Sequence, residues 1–298
     1  MDAISRLLDG AVDLHVHSAP SLFPRRVDHV EAARQAAEVG MRAIVVKSHH
    51  HSTAPDLVTL NKHVLGDLSV RVFGCVALNG YVGGLNPYVV DMTLRMGGKI
   101  VWFPTISAAN HIRHFEAHSI PNFPTQEQRA LPEVPVQVLD EHGEPLPAAR
   151  QILGLIAEAD ACMSPGHVNV EEALALVRAA RDAGVKRILV NHPDFLLEPT
   201  DAQMRELVQL GAYVEHAASQ HLIGEPCYEF PMENLLRWID LVGPERTLIG
   251  SDLGQKKNPP PVYGLRKIAG QLLDRGIQEA DLELMFKKNG AFLLGLDD

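Results

Sequence analysis

The chain has 298 residues, 46% hydrophobic and 21% charged, the balance of a soluble globular protein long enough to bury its core without staples. A formal net charge of −10 argues against nucleic acid as a partner, and the three cysteines, Cys75, Cys162 and Cys227, form neither a disulfide framework nor a Cys-x-x-Cys zinc knuckle. The opening MDAISRLLDG has no apolar leader core and no apolar run nears a membrane span, so the expectation is a cytoplasmic protein acting on a small-molecule substrate, with a homo-oligomer left open.

Along the chain one unit recurs: an amphipathic helix, a glycine, then a short apolar strand. The first strand is 11–16. Residues 27–39 then place Val27, Val30, Ala33 and Ala37 at helical spacing, followed by Gly40 and a strand at 43–47. Strands at 70–78, 99–104 and 159–164 come next. A helix over 169–183 carries Val170, Leu174, Val177 and Ala180 on one face, then Gly184 and the strand 187–191. Residues 200–210 open on Thr200 and Gln203, a capping-box spacing, and lead through Gly211 into the strand 211–216. A last helix, 231–242, precedes Gly243 and the strand 247–251. Glycine just past a helix suits a left-handed cap, and short continuous apolar strands suit a parallel sheet buried on both faces. Eight such strands predict an α/β protein of the (β/α)8 TIM-barrel class. The rival, a doubly wound open sheet, lacks its Gly-rich phosphate loop after the first strand.

The connection between strands four and five is too long for a simple crossover. Its residues 113–147 are rich in proline and polar side chains, with a hairpin turn expected over Val136–Leu139, Glu141–Glu144 and Pro145. A long connection in a compact fold is usually functional or disordered. We read 1–298 as one barrel, with 113–147 as a flap insertion at its mouth.

Polar residues gather where the strands end. Strand one ends Asp13-Leu14-His15-Val16-His17, and residues two apart on a strand share a face, so His15 and His17 make half of a metal site. Strand two ends Lys47-Ser48-His49-His50-His51, strand five Gly166-His167, strand six Asn191-His192-Pro193-Asp194, strand seven Glu215-His216 and strand eight Gly250-Ser251-Asp252. In a barrel these carboxyl ends converge on one mouth, where the chemistry sits. Arg25, in the loop after strand one, is placed to clamp a substrate carboxylate or phosphate. His49, and His216 at the end of strand seven, are candidates to contact substrate. The histidines at 50, 51, 63, 111, 114, 118, 142 and 221 fall in loops or helices and are expected to be mostly solvated, with at most one of His49, His50, His51 and His111 approaching the mouth.

These pieces resemble the amidohydrolase superfamily: Asp13–His17 on strand one, His167 on strand five, His192 on strand six, Leu248–Asp252 on strand eight, and the closing segment Lys288–Leu296. The likeness spans nearly the whole chain. It implies a metal-dependent hydrolase that uses metal-activated water on an amide, ester or lactone. It further implies that His15, His17 and Asp252 hold the buried metal, while His167 and His192 hold a second metal, or one metal and the substrate. Asp252 would take the proton of the attacking water, and His192 or His216 would help polarise the scissile bond. The cofactor is a divalent ion, one or two per chain: zinc first, with Mn, Fe, Ni or Co open.

The pattern is not fully kept. Binuclear members carry a carboxylated lysine at the end of strand four; here that end reads Phe103-Pro104-Thr105-Ile106-Ser107. Lys47 on strand two is the substitute, either as a carbamate ligand or as an ammonium for a substrate anion. A second resemblance is to the polymerase-and-histidinol-phosphatase family, phosphoesterases on a seven-stranded barrel that share a His-x-His strand, a histidine where His49 stands and a His-Pro pair like His192-Pro193. A metal-dependent decarboxylase or hydratase, and a non-catalytic metal binder, are the other classes the same scaffold allows.

Overall fold

The computed structural model describes residues 2–117, 131 and 133–296. Among these residues nine strand segments form two parallel sheets, of three and six segments. Arg71–Phe73 and Cys75–Ala77 are halves of one strand broken at Gly74, so the strands are eight: β1 Val12–His17, β2 Ala43–Lys47, β3 Arg71–Ala77, β4 Ile100–Trp102, β5 Cys162–Ser164, β6 Arg187–Asn191, β7 Ala212–Ala217 and β8 Thr247–Gly250.

The break at Gly74 has a local cause. Thr53 inserts between β2 and the second half of β3. Its hydroxyl donates to Val46 O at 2.8 Å and accepts from Cys75 N at 2.9 Å, while its own N–H donates to Cys75 O at 3.0 Å. A side chain thus replaces the ladder. Gly74 is required there, because a Cβ would stand 2.5 Å from Ala54 N.

Closure comes on the other side, between β8 and β1. Asp252 N donates to His15 O at 2.9 Å and His17 N to Leu253 O at 2.8 Å, with a parallel bridge from Val16 to Leu253. Asp13 locks the seam by accepting from Ser251 N and His15 N, both at 3.0 Å. Gly254 follows at φ 120°, where a Cβ would lie 1.6 Å from His17 O. Gly254→Ala should therefore cost at least the roughly 1–3 kcal/mol typical of overpacking, read as a lower Tm. A melting curve matching that of the parent would remove Gly254 from the closure.

The helices lie near their expected places. The helix expected over 27–39 is α2, His29–Glu38; that over 169–183 is α7, Val170–Asp182; that over 200–210 is α8, Asp201–Gln209; that over 231–242 is α10, Met232–Val242. The Thr200–Gln203 capping box is formed in both directions, and Asp28 with Glu31 and Asn169 with Glu172 repeat it. Gly40, Gly184, Gly211 and Gly243 all take positive φ. At the base, Asn289–Leu294 packs Ala291, Leu293 and Leu294 against Val12, Leu14 and Leu248. Among the described residues no helix is long and apolar enough to cross a membrane.

Of the long connection, residues 118–130 and 132 lie outside the described residues. Its start forms helix α5, Ala109–Ala117. Its end makes the expected hairpin turn, with an antiparallel bridge from Leu139 to Pro145 and Asp140 N donating to Glu144 O at 2.8 Å. Val138 there is fully buried, in one cluster with Ile152 and Leu153.

Candidate metal centre

A one-residue register shift in β1, between Asp13 and Val16, sets the site. Below it, Val12 and Leu14 pack in the barrel core with Ala43 and Val45; above it, His15 and His17 line a cavity of 430 Å³ at the carboxyl ends of the strands. A bulge re-aims the side chains that follow it. His17 is brought level with Lys47 of β2.

Three donor atoms meet on the cavity floor. His15 Nε2 lies 3.3 Å, and His17 Nε2 3.0 Å, from Asp252 Oδ1. Ligand atoms around a tetrahedral zinc, at bonds of about 2.0–2.1 Å, stand about 3.4 Å apart, so this set fits a divalent ion. His15 is aimed from behind: its Nδ1 is 2.9 Å from Glu215 Oε2, which fixes the ring and turns Nε2 to the cavity. Gly250 makes room for this carboxylate, since a Cβ there would stand 2.2 Å from Glu215 Oε1. Asp252 sits at φ 49° in the turn after β8, and its side chain is 18% exposed against 1% and 4% for the two histidines. The carboxylate is thus the most exposed of the three donors.

Lys47 is fully buried. Its Nζ lies 2.9 Å from His15 Nε2 and 3.8 Å from the centre of the Trp102 ring. Burial pulls its pKa down from the usual lysine range, and burial pushes that of Glu215 up. His15 is lowered to about 3 and His192 to about 4, both first by burial; His17, His49 and His167 fall well below the ordinary value for the same reason. These imidazoles are neutral at pH 7, the form that binds metal.

Across the cavity, His167 Nδ1 lies 2.9 Å from His111 Nδ1, with the two rings stacked. Its backbone needs Gly166, where a Cβ would meet Phe103 O at 2.4 Å. His192 lies 5.0 Å from the His167 ring and 5.8 Å from that of His15, and its Nε2 is 2.7 Å from Asn191 Nδ2. His49 Nδ1 pairs with Thr105 Oγ1 at 3.0 Å. Asn79, at the end of β3, ties this corner by donating to His49 O and Thr105 Oγ1 at 2.9 and 2.8 Å.

Arg25 is carried by a loop zipped to the turn after β8: Arg26 N donates to Gly254 O at 2.8 Å, and Arg25 bridges Gln255. Its Nη2 is 3.4 Å from His17 Nδ1, and its buried Nε has no hydrogen-bond partner. Burial lowers its pKa to about 10, so it stays a cation.

The cavity lining includes His15, His17, Arg25, Lys47, His49, His167, His192 and Asp252. His216 stands apart. Alternation along β7 turns Glu215 inward and His216 outward, towards Asp194 and His221. Glu215 was the residue missed, although Gly250 on the neighbouring strand marks the space it fills. Against the expectation of mostly solvated histidines, His50, His111 and His221 are buried, because the loop and the two short helices that carry them pack onto the barrel. His51 is half-buried and His63 and His142 are exposed. His118 lies outside the described residues.

A family model described as "Family of unknown function (DUF6282)" matches residues 10–215. No curated protein matches the chain at the sequence level. An amidohydrolase from Pseudomonas aeruginosa superposes with a TM-score of 0.61 at 12% identity, over 98% of this chain and 99% of that one. A lactonase from Listeria monocytogenes gives 0.57 at 12%, over 98% and 96%. The phosphotriesterase homology protein from Escherichia coli, with phosphate in its active site, gives 0.54 at 14%, over 94% and 97%. These likenesses show a shared fold, that of the amidohydrolase-type TIM barrels.

Proposed function

The chain belongs to the family of unknown function (DUF6282), and on that premise we propose that it is a metal-dependent hydrolase of small carboxylate-bearing molecules, acting on a lactone, ester or amide carbonyl. The observation that carries this is the convergence of His15 Nε2 and His17 Nε2 on Asp252 Oδ1 at 3.3 and 3.0 Å, on the floor of a cavity. The names of the structural neighbours support carbonyl hydrolysis.

His15, His17 and Asp252 would hold the ion, which fits zinc and does not exclude Mn, Fe, Ni or Co. When bound, such an ion supplies Lewis acidity, lowering the pKa of water from about 15.7 towards about 7 and polarising a carbonyl oxygen. Asp252 orients the attacking water and accepts its proton. His192 and His167 stand on the far wall, where they would hold a second ion or the substrate oxygen. Lys47 Nζ faces the same His15 atom as the ion, and an ammonium there would repel a cation. Burial lowers its pKa to about 8, so a minor fraction is neutral amine at pH 7; that amine would add to CO2 with loss of one proton, and the resulting carbamate would serve as a ligand. Glu215 keeps His15 oriented. Glu215→Gln should weaken metal binding by about 10- to 100-fold with little change in secondary structure; equal affinity by metal titration would leave Glu215 without this role.

Arg25 sets the substrate class. A half-buried guanidinium with an unpartnered Nε beside a metal ligand suits a carboxylate. The insertion 113–147 would shape the mouth, where Phe115 already lines the cavity. The phosphoesterase reading asks for a seven-stranded barrel and a strand-three carboxylate; here the barrel has eight strands, and Asn79 spends its amide on His49 and Thr105.

The test is a screen of lactones, esters and amides, with and without a carboxylate, using protein stripped of metal and reloaded with Zn2+, Mn2+ or Co2+. Hydrolysis should need the ion. Arg25→Met should raise KM for carboxylated substrates by about 10- to 100-fold, the worth of a charged hydrogen bond, and leave neutral ones unchanged. Metal-dependent CO2 release without hydrolysis would make the protein a lyase.

A further inference from the structure

Outside the mouth, a second set of metal-type donors, two buried and one partly buried, lies behind the cavity wall. Asp194 lies in the loop after β6, two residues beyond His192. His216 is on the outward face of β7, and His221 ends the short helix Ala218–His221. One donor atom from each lies within 4.8 Å of the others. Both histidines are 1% exposed.

The hydrogen bonding of this group is incomplete. Neither ring nitrogen of His216 has a partner, nor does Asp194 Oδ2. Buried polar atoms are nearly always satisfied, and an unpaired one is costly. The contact of His221 Nε2 with Asp194 Oδ2, at 3.8 Å, is beyond hydrogen-bond distance and leaves His216 unserved. The other carboxylate oxygen is held firmly: Trp238 Nε1 of α10 donates to Asp194 Oδ1 at 2.8 Å. A ligating carboxylate oriented from outside by an N–H is the usual outer-shell arrangement of a metal site.

We propose that Asp194, His216 and His221 form a second divalent-metal site, structural in role and suited to Zn2+. Two imidazoles and a carboxylate are three of the four ligands of a tetrahedral zinc, with water as the fourth. Side-chain rotation has to bring the donor atoms from within 4.8 Å to the spacing of about 3.4 Å that such an ion sets. The ion gives His216 its missing partner and joins three segments that build the cavity. Asp194 lies between the cavity residues His192 and Phe195, two positions after the first and one before the second, and Ser219 and Gln220 sit between the two histidines. The site shares no ligand with the mouth, so it stands or falls independently of the hydrolase reading.

The experiment uses the full chain stripped of metal, with Zn2+ and Co2+ as probes. In the double variant His17→Ala, Asp252→Ala, the mouth set is broken, yet one Zn2+ per chain should survive dialysis, Co2+ should give a tetrahedral absorption band, and Zn2+ should raise Tm. Adding His216→Ala should abolish all three. Trp238→Phe in the double variant keeps every ligand atom and removes the indole N–H, so Zn2+ should bind about 10- to 100-fold more weakly. A double variant that binds no ion overturns the proposal. So does binding that survives His216→Ala, or an affinity untouched by Trp238→Phe, since either puts the ion elsewhere.

Discussion

Asp252→Asn should leave the barrel folded and much of the metal bound while lowering turnover by about a hundredfold to ten-thousandfold, the usual worth of a general base. Asparagine keeps the shape and one carbonyl oxygen. The backbone bond from residue 252 N to His15 O, and with it the seam, is untouched. What is lost is the charge between His15 and His17 and the basicity of the most exposed of the three donors on the cavity floor. Turnover by the metal-loaded variant, with metal content measured on the same sample, is the check. Activity within a few-fold of the parent would refute the role. A drop in Tm with near-normal turnover would make Asp252 a loop cap only.

His17→Ala should release the ion at the mouth, weakening its binding by more than the about 10- to 100-fold that an outer-shell change costs, and should abolish activity. It is a cleaner probe than His15→Ala. His15 is wedged against Trp102 and Glu215, so its removal strands a buried carboxylate and confounds folding with binding. His17 borders the cavity, its backbone N–H still reaches Leu253 O in the alanine variant, and water can fill the space. Circular dichroism and Tm should therefore change little while metal analysis loses one equivalent. A full complement of metal in the variant would dismantle the site, because among the described residues no other pair of side chains brackets Asp252 in this way.

Much of the fold was legible because its signals are local. Helix caps at Thr200 and Gly211, and the apolar periodicity between them, depend on residues within one turn of each other, and the structure keeps them. The same holds for His15 and His17, whose shared face follows from spacing alone. Asp252 and His192 stand out by their places at strand ends, with roles implied by the resemblance, and the structure sets them on the same cavity as the strand-one pair.

What the sequence by itself determined is the alternation of elements and which strand ends carry metal-type donors. Only the tertiary structure decided which of those donors face each other. Along β7 both Glu215 and His216 are fully buried, so no hydropathy pattern tells the inward residue from the outward one. Barrel closure turned Glu215 onto His15 and sent His216 to Asp194 and His221. His111 reads as a loop-side histidine by position, yet it is buried because its partner His167 is 56 residues away in the chain and adjacent in space. Strand periodicity is written by neighbours two residues apart; the direction each face looks is set by closing a sheet whose edges, β1 and β8, meet across the whole length of the chain.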